Sequence, residues 1–396
     1  MKTIVFLTGS YFPDHSAVSN CIERVILQLE ESFNIIVICP QTSTEQLLNE
    51  KHENHTIIRF RNKDIENKIS RKMKRMFNRY SLLDNLVDGY LSEMEKIDNI
   101  DTIFPAIMPF ETALAAMNLK EKNKKVNIVP FMFDPYSNNS NLHYNDVIKK
   151  IKSKSLMKLE KGLLENSQYI IFIHHLKEYF NKNYSKYKKK FVFIEHPLFE
   201  KKEYFIDNQK NDTDDINLVY TGSFYKKIRN PNYFLDIMDK VINKKNNLFV
   251  HLYYFGDCKK VIKKWSALNS NIIDYGSVNS NIAREKMQRA DVLIGVGNLT
   301  NSQTPSKIFE YISFKKKIIY FYKNKNDRNI NILKKYPYSL IIDESKGDIN
   351  ENIEKIIHFL ELKVISNSDV NNKINILFND ANPNYISEII IDKIAK

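Results

Sequence analysis

The sequence predicts an α/β protein with two doubly wound parallel-sheet domains. The length, the composition and the alternation of apolar and helical segments support this prediction. At 396 residues the chain exceeds what one hydrophobic core usually organises. Hydrophobic residues make up 43% of it and aromatic residues 12%, which excludes a disordered chain. There are therefore enough apolar side chains to fill two cores.

Short apolar runs that alternate with helical patterns predict parallel strands in both halves of the chain. In the first half these runs are Ile4–Leu7, Ile35–Ile38, Ile57–Phe60, Thr102–Ile107, Ile128–Phe133, Tyr169–Ile173 and Phe191–Ile194. In the second half they are Leu218–Tyr220, Phe249–Phe255, Ile272–Tyr275, Val292–Val296, Ile318–Tyr322 and Leu340–Ile342. Helical patterns between the later runs include Tyr233–Ile242, Ile282–Arg289 and Ile353–Leu362.

A polar stretch with few aliphatic residues, Lys201 to Asp215, predicts a linker between the two domains. We therefore place a first Rossmann-like domain over residues 1–200 and the linker over 201–216. A second Rossmann-like domain covers 217–382, and a last helix covers 383–396.

The stretch from Val292 to Tyr322 predicts a strand, a loop, a helix and a second strand, in that order. Thr304 suits the N-cap of the helix, and Pro305 suits its first turn. The core face of the helix has three apolar residues: Ile308, Phe309 and Ile312. The loop before the helix lies at the carboxyl ends of the strands, where open α/β sheets bind ligands.

This stretch includes three further candidates for donor binding: Ser306, Lys307 and Glu310. Backbone N–H groups at a helix start, together with Lys307, favour an anion such as a diphosphate. We expect Lys307 and Glu310 to lie on the side away from the core, where Glu310 can accept hydrogen bonds from ribose hydroxyls. A buried strand–helix–strand unit with solvated polar residues is the alternative.

The residues from Gln303 to Tyr311, QTPSKIFEY, followed by Lys317-Ile318-Ile319, resemble the nucleotide-sugar-binding segment of GT-B glycosyltransferases, especially retaining glycosyltransferase family 4. The resemblance implies that Glu310 holds the ribose and that the preceding turn holds the diphosphate. Many members carry another glutamate eight positions earlier, where this chain has Ser302. The resemblance also implies that the last helix crosses back to the first domain.

A second stretch, Val219 to Phe224 followed by a basic turn, resembles a strand-to-helix loop of the same family. There Gly222 would let the backbone approach the diphosphate, and a basic residue would neutralise the leaving phosphate. Ser223, the next residue, is a further donor-binding candidate. Arg229 offers a bidentate fork for phosphate, whereas Lys227 offers a point charge. A solvated basic turn is the alternative.

Three further residues have a place in the family pattern. Gly256, in Phe255-Gly256-Asp257, resembles the turn near the base, and Ser277 follows as a neighbour of the nucleobase. Gly9 after the first strand allows close backbone approach, in a loop that faces the donor diphosphate and the acceptor in the family. A full G-x-G-x-x-G is absent, so no dinucleotide site is predicted.

Asp134 follows an apolar strand, where a polar side chain favours a functional role. In the family a residue at this strand end approaches the reacting sugar, so Asp134 would orient a donor or acceptor hydroxyl. His143 is a weaker candidate, and His196 matches the family's strand-to-linker junction. We interpret His174 and His175 as ordinary loop histidines.

No metal ion or resident cofactor is expected. Asp212-Thr213-Asp214 has the D-x-D pattern of a metal–nucleotide site, but no apolar strand precedes it, so it is interpreted as linker. The histidines fit no standard zinc spacing. Cys21, Cys39 and Cys258 are far apart and fit reduced core residues of a cytosolic protein.

These features predict a metal-independent glycosyltransferase that moves a sugar from a nucleotide-diphosphate sugar to an acceptor hydroxyl. Its catalytic candidates are Asp134, Arg229 and Lys307, and the family implies retention of anomeric configuration. A nucleotide-sugar epimerase is the alternative enzyme. The net charge of +13 also suits a nucleic-acid-binding protein, but no helix-turn-helix, zinc-finger or RNP motif supports one, so no nucleic-acid partner is expected.

We expect a cytoplasmic location, because a strand begins at Thr3 without a signal peptide and no apolar run approaches roughly 20 residues. Residues 68–80 predict a helix with six basic residues, no acidic residue and an apolar stripe. It either packs on the first sheet or attaches the protein to the inner face of an anionic membrane. The second reading suits a lipid-linked or saccharide acceptor in capsule, O-antigen or glycolipid synthesis.

Overall fold

The computed structural model of the chain describes residues 1–12, 16–41, 50–52, 54–62, 68–139, 146–200, 214–299, 306–345, 348–363 and 368–395. The chain divides into two compact units. Unit 1 comprises Met1–Pro197 and Asp380–Lys396, and unit 2 comprises Leu198–Asn379.

The described strands of unit 1 form one sheet. They are β1 (Thr3–Leu7), β2 (Asn34–Pro40), β3 (Glu50–His52), β4 (His55–Phe60), β5 (Ile100–Ile107), β6 (Asn127–Ile128), β7 (Phe131–Met132), β8 (Ile170–Ile173) and β9 (Phe191–Ile194). Their order is β3-β4-β2-β1-β5-β7-β8-β9, with β6 paired to β5. The β3–β4 pair is antiparallel and the other pairs are parallel. The central strand β1 is apolar and buried on both faces, as a covered parallel sheet requires.

The helices in the first part of unit 1 are α1 (Ala17–Leu29), α2 (Lys68–Phe77), α3 (Asp84–Met94), α4 (Glu111–Lys122), α5 (Asp146–Asn166) and α6 (Lys177–Asn183). Short 3₁₀ turns cover His174–Leu176 and Ser185–Lys190. Helix α1 starts with a capping box, in which the Ser16 and Ser19 side chains each accept a hydrogen bond from the other residue's backbone N–H.

The described strands of unit 2 are β10 (Ile216–Phe224), β11 (Leu248–Gly256), β12 (Ile272–Gly276), β13 (Val292–Val296), β14 (Lys317–Tyr322) and β15 (Ser339–Asp343). They lie in the order β12-β11-β10-β13-β14-β15, and all pairs are parallel. The chain reverses its direction of travel across the sheet between β10 and β13. Ligands of doubly wound sheets bind outside the carboxyl ends of the strands at such a switch point.

The helices of unit 2 are α7 (Asn232–Lys244), α8 (Lys259–Leu268), α9 (Ser280–Arg289), α10 (Lys307–Ser313), α11 (Arg328–Leu333), α12 (Ile349–Glu361) and α13 (Ser368–Leu377). A 3₁₀ turn, Asn379–Ala381, precedes the last helix, α14 (Pro383–Ala395). Helix α14 belongs to unit 1 and packs on α1 of the same unit. In the part of the chain that the structure describes, no helix has the length and apolar character needed to cross a membrane.

The predicted α/β class with two parallel, doubly wound sheets is confirmed, and the differences from the prediction are local. The apolar run Ile128–Phe133 is divided into β6 and β7, because Pro130 lacks the N–H that a continuous strand would donate. Strand β10 continues past Tyr220 to Phe224. The helix predicted over 68–80 ends at Phe77.

Candidate functional site

The last residues of β10 form the floor of the candidate site in unit 2. Gly222 and Ser223 belong to this strand, which corrects their predicted place in a loop after it. Because β10 pairs with β11 as far as Phe224 opposite Gly256, the strand extends over both residues. Side chains alternate along a strand, so Thr221 and Ser223 share one face.

Arg229 is fixed against this face of β10 by three hydrogen bonds. Its Nε donates to Oδ1 of Asn298 over 3.0 Å, and its Nη1 lies 3.3 Å from both the carbonyl oxygen and Oγ of Ser223. The loop that carries it is closed by backbone hydrogen bonds in both directions between Tyr225 and Arg229. Asn298 follows β13, so the guanidinium lies at the switch point between β10 and β13.

Lys307 brings a second cation to the same face. Its Nζ donates to Oγ1 of Thr221 over 2.9 Å, two residues before the Ser223 that holds Arg229. The Tyr311 hydroxyl, one turn further along α10, donates to the Thr221 carbonyl oxygen over 3.0 Å. Burial raises the pKa of Tyr311 to about 12, so it remains a neutral donor at physiological pH.

Glu310 lies on the same helix, but it is buried. Only 5% of the residue is exposed, whereas the sequence placed it with half-buried Lys307 on the side away from the core. It has a cationic neighbour on α9, because Nη1 of Arg284 lies 4.0 Å from the Glu310 carboxylate. Nη2 of Arg284 also lies 2.6 Å from Glu200. Sequence reasoning missed Arg284, whose only signal was its place on the helix before β13.

The start of α10 differs from the prediction. The described helix begins at Lys307, and Ser306 occupies the N-cap position without a capping hydrogen bond from its side chain. Thr304 and Pro305, which were predicted to open the helix, lie outside the described residues, as does Ser302. The described part of the site therefore consists of Lys307 and Arg229 bonded to β10.

The turn after β11 completes this edge of unit 2. Gly256 has φ of +120°, and a Cβ there would lie 2.0 Å from the Phe224 carbonyl oxygen, so this position requires glycine. Oδ1 of Asp257 accepts a hydrogen bond from the Lys226 backbone N–H over 2.8 Å, and this bond lowers the pKa of Asp257. Lys227 and Ser277 are exposed, and they follow β10 and β12 respectively.

A second group of candidates lies at the strand ends of unit 1. Asp134 follows β7, and Nε2 of His175, which follows β8, lies 3.8 Å from its carboxylate. The His175 and His196 rings are stacked with centroids 6.3 Å apart and an angle of 11° between their planes. Sequence reasoning assigned His175 no role. The available signal was topological, because neighbouring parallel strands bring their carboxyl ends to one edge.

Other predicted residues of unit 1 have structural neighbours. His174 lies 3.3 Å from Asp380, which belongs to the C-terminal segment of the same unit. The Pro109 ring packs against Gly9, since a Cβ on Gly9 would lie 2.5 Å from Pro109 Cδ. His143 lies outside the described residues.

The described residues include no group of three or more His, Cys, Asp or Glu side chains placed to hold a metal ion. Of the D-x-D triad, Asp212 and Thr213 lie outside the described residues. Cys21, Cys39 and Cys258 are buried free thiols.

Comparison with protein-family models and with curated proteins finds no match in sequence. Solved structures, in contrast, match over the whole chain. Apo trehalose-6-phosphate synthase OtsA has a TM-score of 0.64 at 10% identity, over 100% of this chain and 99% of that one. An α,α-trehalose-phosphate synthase (UDP-forming) from Burkholderia vietnamiensis has 0.65 at 8%, over 100% of both chains. The apo lipopolysaccharide outer core galactosyltransferase WaaB has 0.58 at 12%, over 99% of both.

The chain has the GT-B fold. The GT-B architecture predicted from the segment at Gln303–Tyr311 is thereby confirmed, while membership of family 4 stays a prediction. At about ten per cent identity the comparison concerns the fold alone.

Proposed function

We propose that this GT-B protein is a glycosyltransferase that moves a sugar from a nucleotide-diphosphate sugar to an acceptor hydroxyl. One observation carries the proposal. Arg229 is hydrogen-bonded to Ser223 and Lys307 to Thr221, so both cations lie on one face of β10 at the switch point. A diphosphate is the ligand that two adjacent cations suit best. Glu310, one helical turn from Lys307, supplies the carboxylate that would accept hydrogen bonds from a ribose.

The proposed chemistry is stabilisation of the leaving group. The bond between the anomeric carbon and the diphosphate oxygen breaks, and a bond from that carbon to the acceptor oxygen forms. The released diphosphate takes up the acceptor's proton. Negative charge grows on the diphosphate during this step, so fixed cations stabilise the transition state more than the ground state. Arg229 and Lys307 fill this role without a divalent cation in the proposed mechanism.

Residues at the other strand ends complete the proposal. Asp134 would orient a hydroxyl of the reacting sugar or of the acceptor, with His175 as its neighbour at 3.8 Å. Gly222, Ser223 and Lys227 would surround the diphosphate, and Gly256 and Ser277 would lie near the base. Retention of configuration follows the family resemblance.

The proposed setting is the assembly of a surface polysaccharide or glycolipid, with a saccharide or lipid-linked acceptor at the inner face of a bacterial membrane. One structural neighbour, the lipopolysaccharide outer core galactosyltransferase WaaB, supports this setting. Another, a trehalose-6-phosphate protein from E. coli bound with UDP-2-fluoro glucose, supports only the nucleotide-sugar donor.

The test is the release of nucleoside diphosphate from a panel of nucleotide sugars by the purified protein. We expect one donor to be hydrolysed slowly in water and faster with an acceptor, and the same rates in EDTA. Consumption of none of the donors would contradict the proposed transfer. Loss of activity in EDTA that Mg²⁺ or Mn²⁺ restores would contradict only the metal-independent mechanism.

A further inference from the structure

Helix α2 turns its apolar side to the solvent. Ile69, Met73 and Phe77 are spaced by four residues and therefore share one face. Their exposed fractions are 74%, 52% and 75%. A surface helix of a globular protein normally packs such a stripe on the core. The reading of this helix as ordinary core packing is therefore wrong for these three side chains.

The opposite side of α2 is held by a buried charge pair. Nη2 of Arg75 lies 2.7 Å from Oε1 of Glu111, a carboxylate that is fully buried. Nη1 of Arg75 donates to the Ser81 carbonyl oxygen over 2.7 Å, and Oε1 of Glu111 also accepts from the Leu83 N–H over 2.9 Å. Breaking a buried pair of this kind leaves an uncompensated charge. The pair therefore fixes which face of α2 turns outward.

Helix α5 extends this surface. Its exposed face has two apolar and three basic residues: Val147, Ile151, Lys150, Lys154 and Lys158. Val147 and Ile151 are 67% and 78% exposed. The next residue, Lys152, connects the two helices, because its Nζ donates to the carbonyl oxygens of Arg75 and Asn78 over 2.9 and 2.6 Å.

We propose that the exposed faces of α2 and α5 form a docking surface for an anionic phospholipid bilayer, and we call it the α2–α5 surface. Residues 68–80 contain basic residues and no acidic one. Apolar side chains beside lysines suit the boundary between acyl chains and charged headgroups. Each lysine or arginine near such a surface adds about 1 kcal/mol of attraction.

Other occupants fit the surface less well. The cores of protein interfaces are depleted in lysine, whereas here lysines lie beside the apolar residues. A second copy of this chain would bring like charges together across a symmetric contact. Nucleic acid would suit the lysines but would leave Met73, Phe77 and Ile151 without an apolar environment.

A groove beside α2 includes one acidic residue among its described lining residues. The groove has a volume of about 830 Å³ and is lined by Ile69, Ser70, Met73, Lys74, Phe77, Asn78, Leu82, Leu83, Asp84 and Asn85. Asp84 is the one carboxylate among these lining residues, and Ile69, Met73 and Phe77 are the exposed apolar residues of α2. The inference depends only on unit 1 and does not depend on the proposed sugar transfer.

The test is flotation of the full chain with vesicles. One set contains phosphatidylglycerol and phosphatidylcholine in equal parts, and the other contains phosphatidylcholine alone. We expect binding to the anionic vesicles at low salt and its loss at high salt. The double variant Met73→Ser/Phe77→Ser should reduce the bound fraction at least about tenfold, because it removes two side chains that would be buried in the bilayer.

A matched control removes equally exposed apolar residues from unit 2. Leu268 and Ile376 are 66% and 76% exposed, and Leu268→Ser/Ile376→Ser should float like the parent. Equal recovery of the parent in the soluble fraction with both lipids would overturn the proposal. The proposal would also be overturned if Met73→Ser/Phe77→Ser floated like the parent. A third contradicting result is that neither protein binds vesicles and light scattering shows a dimer of the parent that the variant does not form. Donor hydrolysis in the same samples reports on the proposed sugar transfer separately.

Discussion

At the scale of single residues, Arg229 is the group on which the proposed chemistry depends most. It is half-buried at the edge of unit 2, so its removal leaves no cavity in the core. We predict that Arg229→Ala lowers kcat by about 10²–10³, the usual cost of losing one preorganised charge-stabilising donor. The melting temperature should change little. Steady-state kinetics and thermal unfolding check both statements.

A control for this variant lies three residues earlier. The Lys226 side chain is exposed, and its backbone N–H donates to Asp257. Lys226→Ala removes the same charge and should keep nearly the parental kcat. A near-normal kcat for Arg229→Ala would show that another cation neutralises the leaving phosphate.

Glu310 offers a test that separates the ribose from the diphosphate. We predict that Glu310→Gln weakens binding of a nucleoside diphosphate about tenfold or more, because a hydrogen bond to a charged group is lost. The 2′,3′-dideoxy form lacks both ribose hydroxyls, so it should bind equally to parent and variant. Calorimetric titration measures the four affinities. A similar loss for both nucleotides would mean that Glu310 acts elsewhere, for example by positioning Arg284.

Lys307, Glu310 and Arg229 could be predicted as site candidates because they belong to short local patterns. Lys307 and Glu310 are one helical turn apart, and Arg229 follows a strand end closely. Arg284 and His175 were missed because each meets its partner only after distant strands or helices come together. Their spacing along the chain carries no signal of that contact.

At the scale of helices and strands, the orientation of α2 could not be predicted from the sequence either. Its periodicity predicts an apolar stripe, but periodicity does not say which side faces the core. That choice is made by the pair between Arg75 and Glu111, 36 positions apart in the sequence. A sequence pattern places arginine on the solvent side of a helix, whereas Arg75 lies on the side of α2 that faces the core.

The attachment of α5 gives a pH-dependent prediction. Glu160 is fully buried and accepts hydrogen bonds from the Tyr136 N–H and from the hydroxyls of Ser137, Tyr179 and Tyr184. Burial raises the pKa of Glu160 above its ordinary value of 4.5, although these bonds oppose the shift. As pH rises above 4.5, the unfolded chain loses this proton before the folded chain does. The contribution of Glu160 to the free energy of unfolding therefore falls through that range.

Glu160→Gln removes this titration without removing the side chain. We predict that the melting temperature of the parent minus that of Glu160→Gln is larger near pH 5 than near pH 7. Thermal unfolding of both proteins at the two pH values measures it. A difference that grows with pH would mean that the hydroxyl donors favour the carboxylate enough to lower the pKa instead.

At the scale of the whole molecule, the two sheets could be predicted because parallel strands buried on both faces are continuous apolar runs. The predicted and observed bounds of β13 coincide, and those of β14 differ by one residue. The order of the strands across each sheet does not follow from such runs. It depends on where the helices between them pack, so the switch point between β10 and β13 required the structure.

The net charge of +13 does not decide between substrates, membranes and nucleic acids. The contacts favour a phosphate-containing substrate and a membrane over nucleic acid. Arg229 and Lys307 are held at the end of β10, and the α2–α5 surface combines lysines with apolar side chains. We predict no gel shift of mixed-sequence RNA or DNA at physiological salt. A salt-sensitive shift under those conditions would favour a nucleic-acid-binding protein instead.

The most direct test of the central claim is an equilibrium titration that compares a nucleoside diphosphate with its parent nucleoside. If the β10–β13 switch point is a diphosphate site, the nucleoside diphosphate selected by the donor panel should bind at least about a hundredfold more tightly than the nucleoside. Two charge-assisted contacts account for a difference of this size. The difference should collapse in Arg229→Ala/Lys307→Ala. Equal affinities in the parent, or a difference that persists in the double variant, would contradict the claim.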